Sequence, residues 1–293
     1  MESALKCDIC GNSVWKEKSE LLMQCSDCGL IRAKMNPSAS QLQEAYGHNY
    51  FFGGEYTNYL HDRVALEKNF TMRINNLRKY LNSESTLIEI GCSYGFFLNI
   101  CKKFIKKCIG YDIAKEGIEY ASKEFGLEVY CDSFLNYQGE KVDLVCLWDV
   151  IEHLSEPDKF IAKISSSVKD GGHVALSTGD IGSLLARLRG DKWRMVHPPT
   201  HLFYFDKSSI YKLLGKHGFE VVEFKHSTVY RNVDSVFQQL INWKGKKPSV
   251  FFILMYRVCR KLGLTKINFG INLFDIMDVV AVKKLAVNSQ QTV

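Results

Sequence analysis

Apolar positions follow two rhythms along this chain. From residue 85 onward, short β-branched runs alternate with stretches in which apolar residues recur every three or four positions. Such an alternation is what a parallel sheet with crossover helices requires. It predicts strands over Thr86–Cys92, Cys108–Asp112, Glu128–Cys131, Val142–Trp148, His173–Ser177 and Phe219–Lys225, with Asn272–Lys283 returning as a last strand. Helices are expected over Gly95–Lys107, Lys115–Phe125, Glu156–Val168 and Asp206–His217. The fold class is therefore α/β, with a seven-stranded, mostly parallel sheet covered on both faces. Ahead of it, Val64, Leu66, Phe70, Ile74, Leu77 and Leu81 recur at helical spacing and predict an amphipathic cap. Two aromatic clusters precede that helix, Tyr46–Phe52 and Tyr56–Tyr59. Tyr46 and Tyr50 are candidate walls of a ligand pocket, although aromatic stripes more often serve packing.

The pattern divides the chain into four parts: a cysteine-bearing module over 1–35, an aromatic and helical linker and cap over 36–84, the α/β domain over 85–230, and a basic, apolar helical insertion with the final strand over 231–293. An apolar share of 46% with only five prolines excludes a disordered chain. The longest apolar run, Val250–Tyr256, is seven residues, far below the roughly 20 that cross a bilayer. No basic stretch leading into an apolar one opens the sequence, so a cytoplasmic setting with reduced thiols is expected. The net charge is +6, yet Lys244–Lys266 holds seven bases and no acid, leaving −1 elsewhere. That distribution argues against nucleic acid as a partner and for a small-molecule substrate. Within the basic stretch, Val250, Phe251, Leu254, Val258 and Leu262 predict a helix. Its apolar face suits a lid or dimer helix packed on the sheet or, given the bases, peripheral contact with anionic lipid.

Cysteines fall into two populations. Cys7, Cys10, Cys25 and Cys28 form two C-x-x-C pairs, each followed by a glycine, Gly11 and Gly29. Each such turn brings two sulfurs to one side of a tetrahedral ion, so a structural zinc is expected. Residues 1–40 carry five bases and five acids, a balance without the basic excess that gripping phosphates needs. The other six cysteines are scattered through apolar segments as small hydrophobes.

The first strand of the α/β domain ends in Glu89-Ile90-Gly91-Cys92-Ser93-Tyr94-Gly95. Glycines at a strand-to-helix turn let a ligand approach the backbone. The G-x-x-x-G spacing departs from the G-x-G-x-x-G of dinucleotide sites. Asp112, ending the second strand, is placed to accept two ribose hydroxyls, and Asp132-Ser133 follows the third strand. Asp149, Glu152 and His153 follow the fourth. Their spacing shares one face of a helical turn, where a carboxylate could orient an imidazole as a general base or all three could hold a divalent metal. The plainer alternative is a helix start with solvated acids and a packed histidine. His201 lies in an aromatic stretch beside Pro198 and Pro199, with Trp193 and Arg194 just upstream as candidate contacts to an acidic substrate group.

Residues 86–178 resemble a class I S-adenosylmethionine (SAM)-dependent methyltransferase. The segments that carry the likeness are Leu87–Leu98, Gly110–Ile113, Cys131–Phe134, Asp143–Leu154 and Leu176–Thr178. The ribbon and the stretch His197–Phe205 extend it to a subgroup with an N-terminal zinc ribbon. The resemblance implies a Rossmann-like sheet in which the loop around Gly91 and Gly95 receives the methionine part of SAM, Asp112 the ribose, and Asp132 with Ser133 the adenine. Glu89, Cys92, Ile113, Trp148 and Asp149 complete the expected donor site. Ubiquinone-pathway O-methyltransferases carry E-x-x-E-H where this chain has Asp149, Glu152 and His153, which implies magnesium at those three residues as one alternative. Deoxysugar C-methyltransferases use a Glu-His pair, matched by Glu152 and His153, to abstract a proton, and this base role is favoured, with His201 facing the substrate. The expected reaction is methyl transfer to a small hydroxylated acceptor, with a sugar or nucleotide-sugar ahead of a quinone or phenol and C- and O-methylation both open. The rivals are an NAD-dependent oxidoreductase on the same sheet, against which the G-x-x-x-G spacing and Glu89 count, a non-catalytic ribbon-bearing adaptor, and nucleic-acid methylation.

Overall fold

The computed structural model describes residues 5–35, 37, 59–241 and 249–285. Tyr46 and Tyr50 lie outside these described residues. Among the described residues, no helix is long and apolar enough to cross a membrane.

Three short strands open the chain: β1 (Trp15–Glu17), β2 (Leu22–Cys25) and β3 (Ile31–Ala33). The parallel strands β4 (Thr86–Ile90), β5 (Lys107–Asp112), β6 (Glu128–Cys131), β7 (Val142–Trp148) and β8 (Val168–Gly179) follow. After the two-residue β9 (Phe203–Tyr204) come β10 (Phe219–His226), β11 (Val229–Asn232), β12 (Asn268–Ile271) and β13 (Ile276–Lys283). The main sheet has seven strands in the order β10-β13-β8-β7-β4-β5-β6, and β13 runs antiparallel to both neighbours. Leu144–Leu147 in the middle of β7 are fully buried, because crossover helices cover both faces of a parallel sheet and leave no polar side to alternate with.

The helices are α1 (Arg63–Leu77), α2 (Phe96–Cys101), α3 (Lys115–Phe125), α4 (Pro157–Ser167), α5 (Leu184–Arg189), α6 (Lys207–Lys216), α7 (Val233–Ile241) and α8 (Val250–Lys261). The one expected over Gly95–Lys107 stops at Cys101, since the chain must reverse before Lys107 to pair with Thr86. α8 forms where expected, but none of its residues is buried. It packs along α7 and the turn at Leu264–Lys266 rather than on the sheet, so the packed-lid expectation is corrected.

The N-terminal ribbon does not stand apart. β3 pairs with β9, Ile31 opposite Tyr204 and Arg32 opposite Phe203, and Cys7, Ile9, Cys25 and Leu30 share one core with Leu202, Phe203, Phe205 and Leu213. The buried Arg32 guanidinium lies 5.3 Å from the Phe203 ring centre. From α6, Lys212 and Lys216 donate to the carbonyls of Cys28 and Asp8.

The four cysteine sulfurs all lie within 4.8 Å of one another, with Cys7–Cys28 at 3.4 Å and Cys10–Cys25 at 3.5 Å. Zinc–thiolate bonds of about 2.3 Å in a tetrahedron separate sulfurs by roughly 3.8 Å, so the donor set fits that ion. Protein purified without added metal is expected to carry one zinc per chain by elemental analysis, and Cys10→Ser to lose it. Because the ribbon shares a core with β9, that variant should also expose the Phe203 and Tyr204 amides to hydrogen exchange while β4 and β7 stay protected. Iron, or no metal in repeated preparations, would refute this.

Candidate functional site

The carboxyl ends of β4, β5, β6 and β7 converge on one edge of the sheet. After β4 the chain turns at Gly91, whose φ of +74° is left-handed; a Cβ there would also sit 2.4 Å from Val150 Cγ2. Asp112 closes this loop: one carboxylate oxygen accepts from the Ser93 amide and the other from the Ala114 amide, both at 2.8 Å. Burial pushes its pKa up, and the amides of Ala114, Ser93 and Ile113 oppose that. Asp132 accepts from the Ser133 amide at 2.7 Å and from Asn136 at 2.9 Å. Gly91, Asp112, Ile113, Asp132, Ser133 and Trp148 line a cleft of about 190 Å³.

Gly95 lines neither this cleft nor the larger cavity beside it. It is left-handed at the start of α2 (φ +73°), and a Cβ would meet Leu127 Cδ1 at 2.7 Å and Ala121 Cβ at 2.8 Å. Its smallness serves packing of the loop against α3. Glu89 and Cys92 face the larger cavity rather than the cleft.

That second cavity, about 380 Å³, lies between the strand ends, α1 and the insertion after β10. Tyr59, Gly91, Trp148, Asp149 and His153 border both spaces. Asp149 holds a left-handed backbone, φ +55°. Its carboxylate accepts from Arg73 at 3.1 Å and from the Ser177 hydroxyl at 3.0 Å, and the Arg73 guanidinium lies 4.6 Å from the Trp148 ring centre. Glu152, only 2% exposed, has no well-formed hydrogen bond to either oxygen. Burial, then the charge of Asp149, pushes its pKa up to about 8 against weaker help from Thr178 and Arg73.

His153 Nδ1 sits 2.8 Å from the Thr200 carbonyl, so Nδ1 carries the proton and Nε2 the lone pair. His201, 4% exposed, donates in the same way to the Met195 carbonyl at 2.8 Å. Burial, then His153 and His197, drive its pKa well below the ordinary value and keep it neutral. The His153 and His201 rings meet edge-on at 4.5 Å.

Two expectations change here. The turn after β7 is a single 3₁₀ turn, Ile151–His153. Glu152 makes no hydrogen bond to His153; the Thr200 carbonyl holds the ring instead. Nor does Asp149 join a magnesium set with Glu152 and His153, because Arg73 and Ser177 hold its carboxylate. The residues whose ligand atoms lie within 4.8 Å of one another are Glu152, His153 and His201, and two imidazoles suit a softer ion than magnesium.

A family described as "Methyltransferase domain" matches residues 59–224. The chain belongs to this methyltransferase family. Among curated relatives, ubiquinone biosynthesis O-methyltransferase of Dictyostelium discoideum is 30% identical over 138 residues, covering 39% of this chain and 43% of that one. The Proteus mirabilis protein of the same name is 29% identical over 121 residues, 36% and 49% of the respective chains. The match thus spans less than half the length of either relative. A SAM-dependent methyltransferase from Archaeoglobus fulgidus shares the fold with a TM-score of 0.52 at 18% identity, over 80% of this chain and all of that one.

Within this methyltransferase domain, several residues at the site escaped sequence reading. Arg73 and Tyr59 come from the cap, and Asn69 exchanges two hydrogen bonds with the Tyr230 backbone, at 2.7 and 3.0 Å, pinning the insertion over the cavity. The signal available was Asn69, Arg73 and Asn76 recurring at helical spacing beside the apolar face of α1. Trp193 and Arg194, expected to meet an acidic substrate, instead donate to the buried Asp275 at 2.9 Å each.

The proton on Glu152 links stability to pH. The folded state keeps it up to about pH 8 whereas an ordinary glutamate releases it near 4.5, so stability falls as pH rises through that window, by at most about 1.4 kcal/mol per pH unit. His201, lowered when folded, is neutral in both states above pH 7 and drops out. Urea unfolding at pH 7 and 8 should show wild type losing stability and Glu152→Gln losing less; equal slopes would show that Glu152 is ionised when folded.

Proposed function

We propose that the protein transfers the methyl group of SAM to a hydroxyl oxygen of a small acceptor. The observation that carries this reading is the meeting of a nucleoside-sized cleft and a second cavity across Trp148, Asp149 and His153. When bound, SAM supplies a methyl group on a cationic sulfur, open to in-line displacement. The donor set fits it: each Asp112 oxygen accepts one amide and retains a lone pair for a ribose hydroxyl. Asp132 and Ser133 lie at the far end of the cleft for the base, and Gly91 leaves the backbone open toward the shared wall.

On the acceptor side, His153 Nε2 takes the hydroxyl proton as the new O–C bond forms and the S–C bond breaks. The Thr200 carbonyl holds the ring in the required tautomer and stabilises its charge once protonated. Glu152, neutral near pH 7, keeps a second negative charge out of the pocket floor, and His201 completes that floor as a neutral imidazole. The names of the relatives reported above favour O-methylation on a quinone-pathway acceptor over the sugar expected from sequence.

SAM or its demethylated product should raise the melting temperature, by the equivalent of about 2.7 kcal/mol at a hundredfold excess over Kd, and Asp112→Ala should remove the shift. A shift with NAD and none with SAM would decide for an oxidoreductase. His153→Ala should keep the SAM shift yet slow transfer by about 10²–10⁴ in a screen of phenols and sugars. Full activity of that variant on the acceptor found would return His153 to a packing role.

A further inference from the structure

α8 turns an apolar face to solvent. Phe251, Leu254 and Leu262 are 64%, 61% and 66% exposed, with Val250, Met255 and Val258 beside them. A helix with that pattern ordinarily buries it. Along the sequence the charge has one sign here: seven bases and no acid lie between Lys244 and Lys266. Arg257 and Lys261 fall at the border and the end of the apolar face by helical spacing. On α7, Asp234 accepts from the Tyr256 hydroxyl at 2.8 Å, on the opposite side of α8.

We infer that this face docks on an anionic lipid surface. A second copy is a poor cover, since a two-fold interface must pair the face with itself, and this one would set base against base with no acid of its own segment to answer. An anionic bilayer supplies the missing charge and takes Phe251 and Leu254 into the boundary between headgroups and acyl chains. Twelve helical residues extend about 18 Å, long enough to lie along a surface and too short to cross one. The same insertion walls the larger cavity through Tyr230, Arg231 and Asn232, so anchor and cavity wall form one unit. This inference does not depend on the transfer chemistry.

Vesicle flotation of the full chain tests it. The protein should float with phosphatidylcholine vesicles containing phosphatidylglycerol, not with phosphatidylcholine alone, and high salt should release it. Arg257→Gln and Lys261→Gln should each weaken partitioning about fivefold, as loss of one base near an anionic surface implies. Phe251→Asp with Leu254→Asp should abolish it, with the melting temperature unchanged as evidence that the fold survives. Absence of flotation with phosphatidylglycerol, or flotation indifferent to these substitutions, would overturn the inference. So would light scattering that finds a dimer split by Leu254→Asp, which would assign the face to a second copy.

Discussion

Leu202 carries one wall of the larger cavity on two backbone hydrogen bonds that point in opposite directions. Its carbonyl accepts from Ala33 in the ribbon at 2.9 Å, and its amide donates to the Glu152 carbonyl at 2.8 Å in the turn after β7. One residue earlier stands His201, and one before that Thr200, whose carbonyl holds His153. A buried backbone group left without its partner costs about 1–3 kcal/mol, enough to favour a different loop conformation. The ribbon is therefore a splint: its strand β3 fixes the segment from which the site's imidazoles are hung.

The site also sorts its charges by depth. Asp149 and Arg73, at the shared wall, form an ion pair that rests on Trp148. Beneath them, Glu152 keeps its proton and His201 loses its own, for the same reason: each lacks the water that would stabilise its charged form. The Asp149 carboxylate keeps 42% of its side-chain surface, whereas the neutral Glu152 and His201 are buried. A reaction that moves positive charge from a sulfur to an imidazole would then meet little opposing field from the pocket floor.

Most of the sheet was legible in the sequence because parallel strands buried on both faces read as unbroken apolar runs; β7 is the clearest case. The glycine loop and its acids were legible because strand ends concentrate polar residues within a few positions. The partners of those residues were not. Arg73 reaches Asp149 from 76 residues away and His153 reaches Thr200 from 47, and pattern along the chain is silent about such pairs. The spacing of Asp149, Glu152 and His153 misled because it presumes a helix, where the chain makes a left-handed residue and a single tight turn. At Gly95 the sequence was silent about packing: a Cβ there would meet Leu127 and Ala121, and no local pattern announces that contact.

The place of β13 has a consequence for how the molecule is made. It follows the other strands of the sheet in chain order, yet it lies inside the sheet, between β8 and β10. During synthesis, β8 and β10 must wait with open edges while the whole excursion through α7 and α8 is translated. Unpaired edges of that kind recruit other chains. The length of the insertion is thus also a delay, set by how many residues separate β10 from β13.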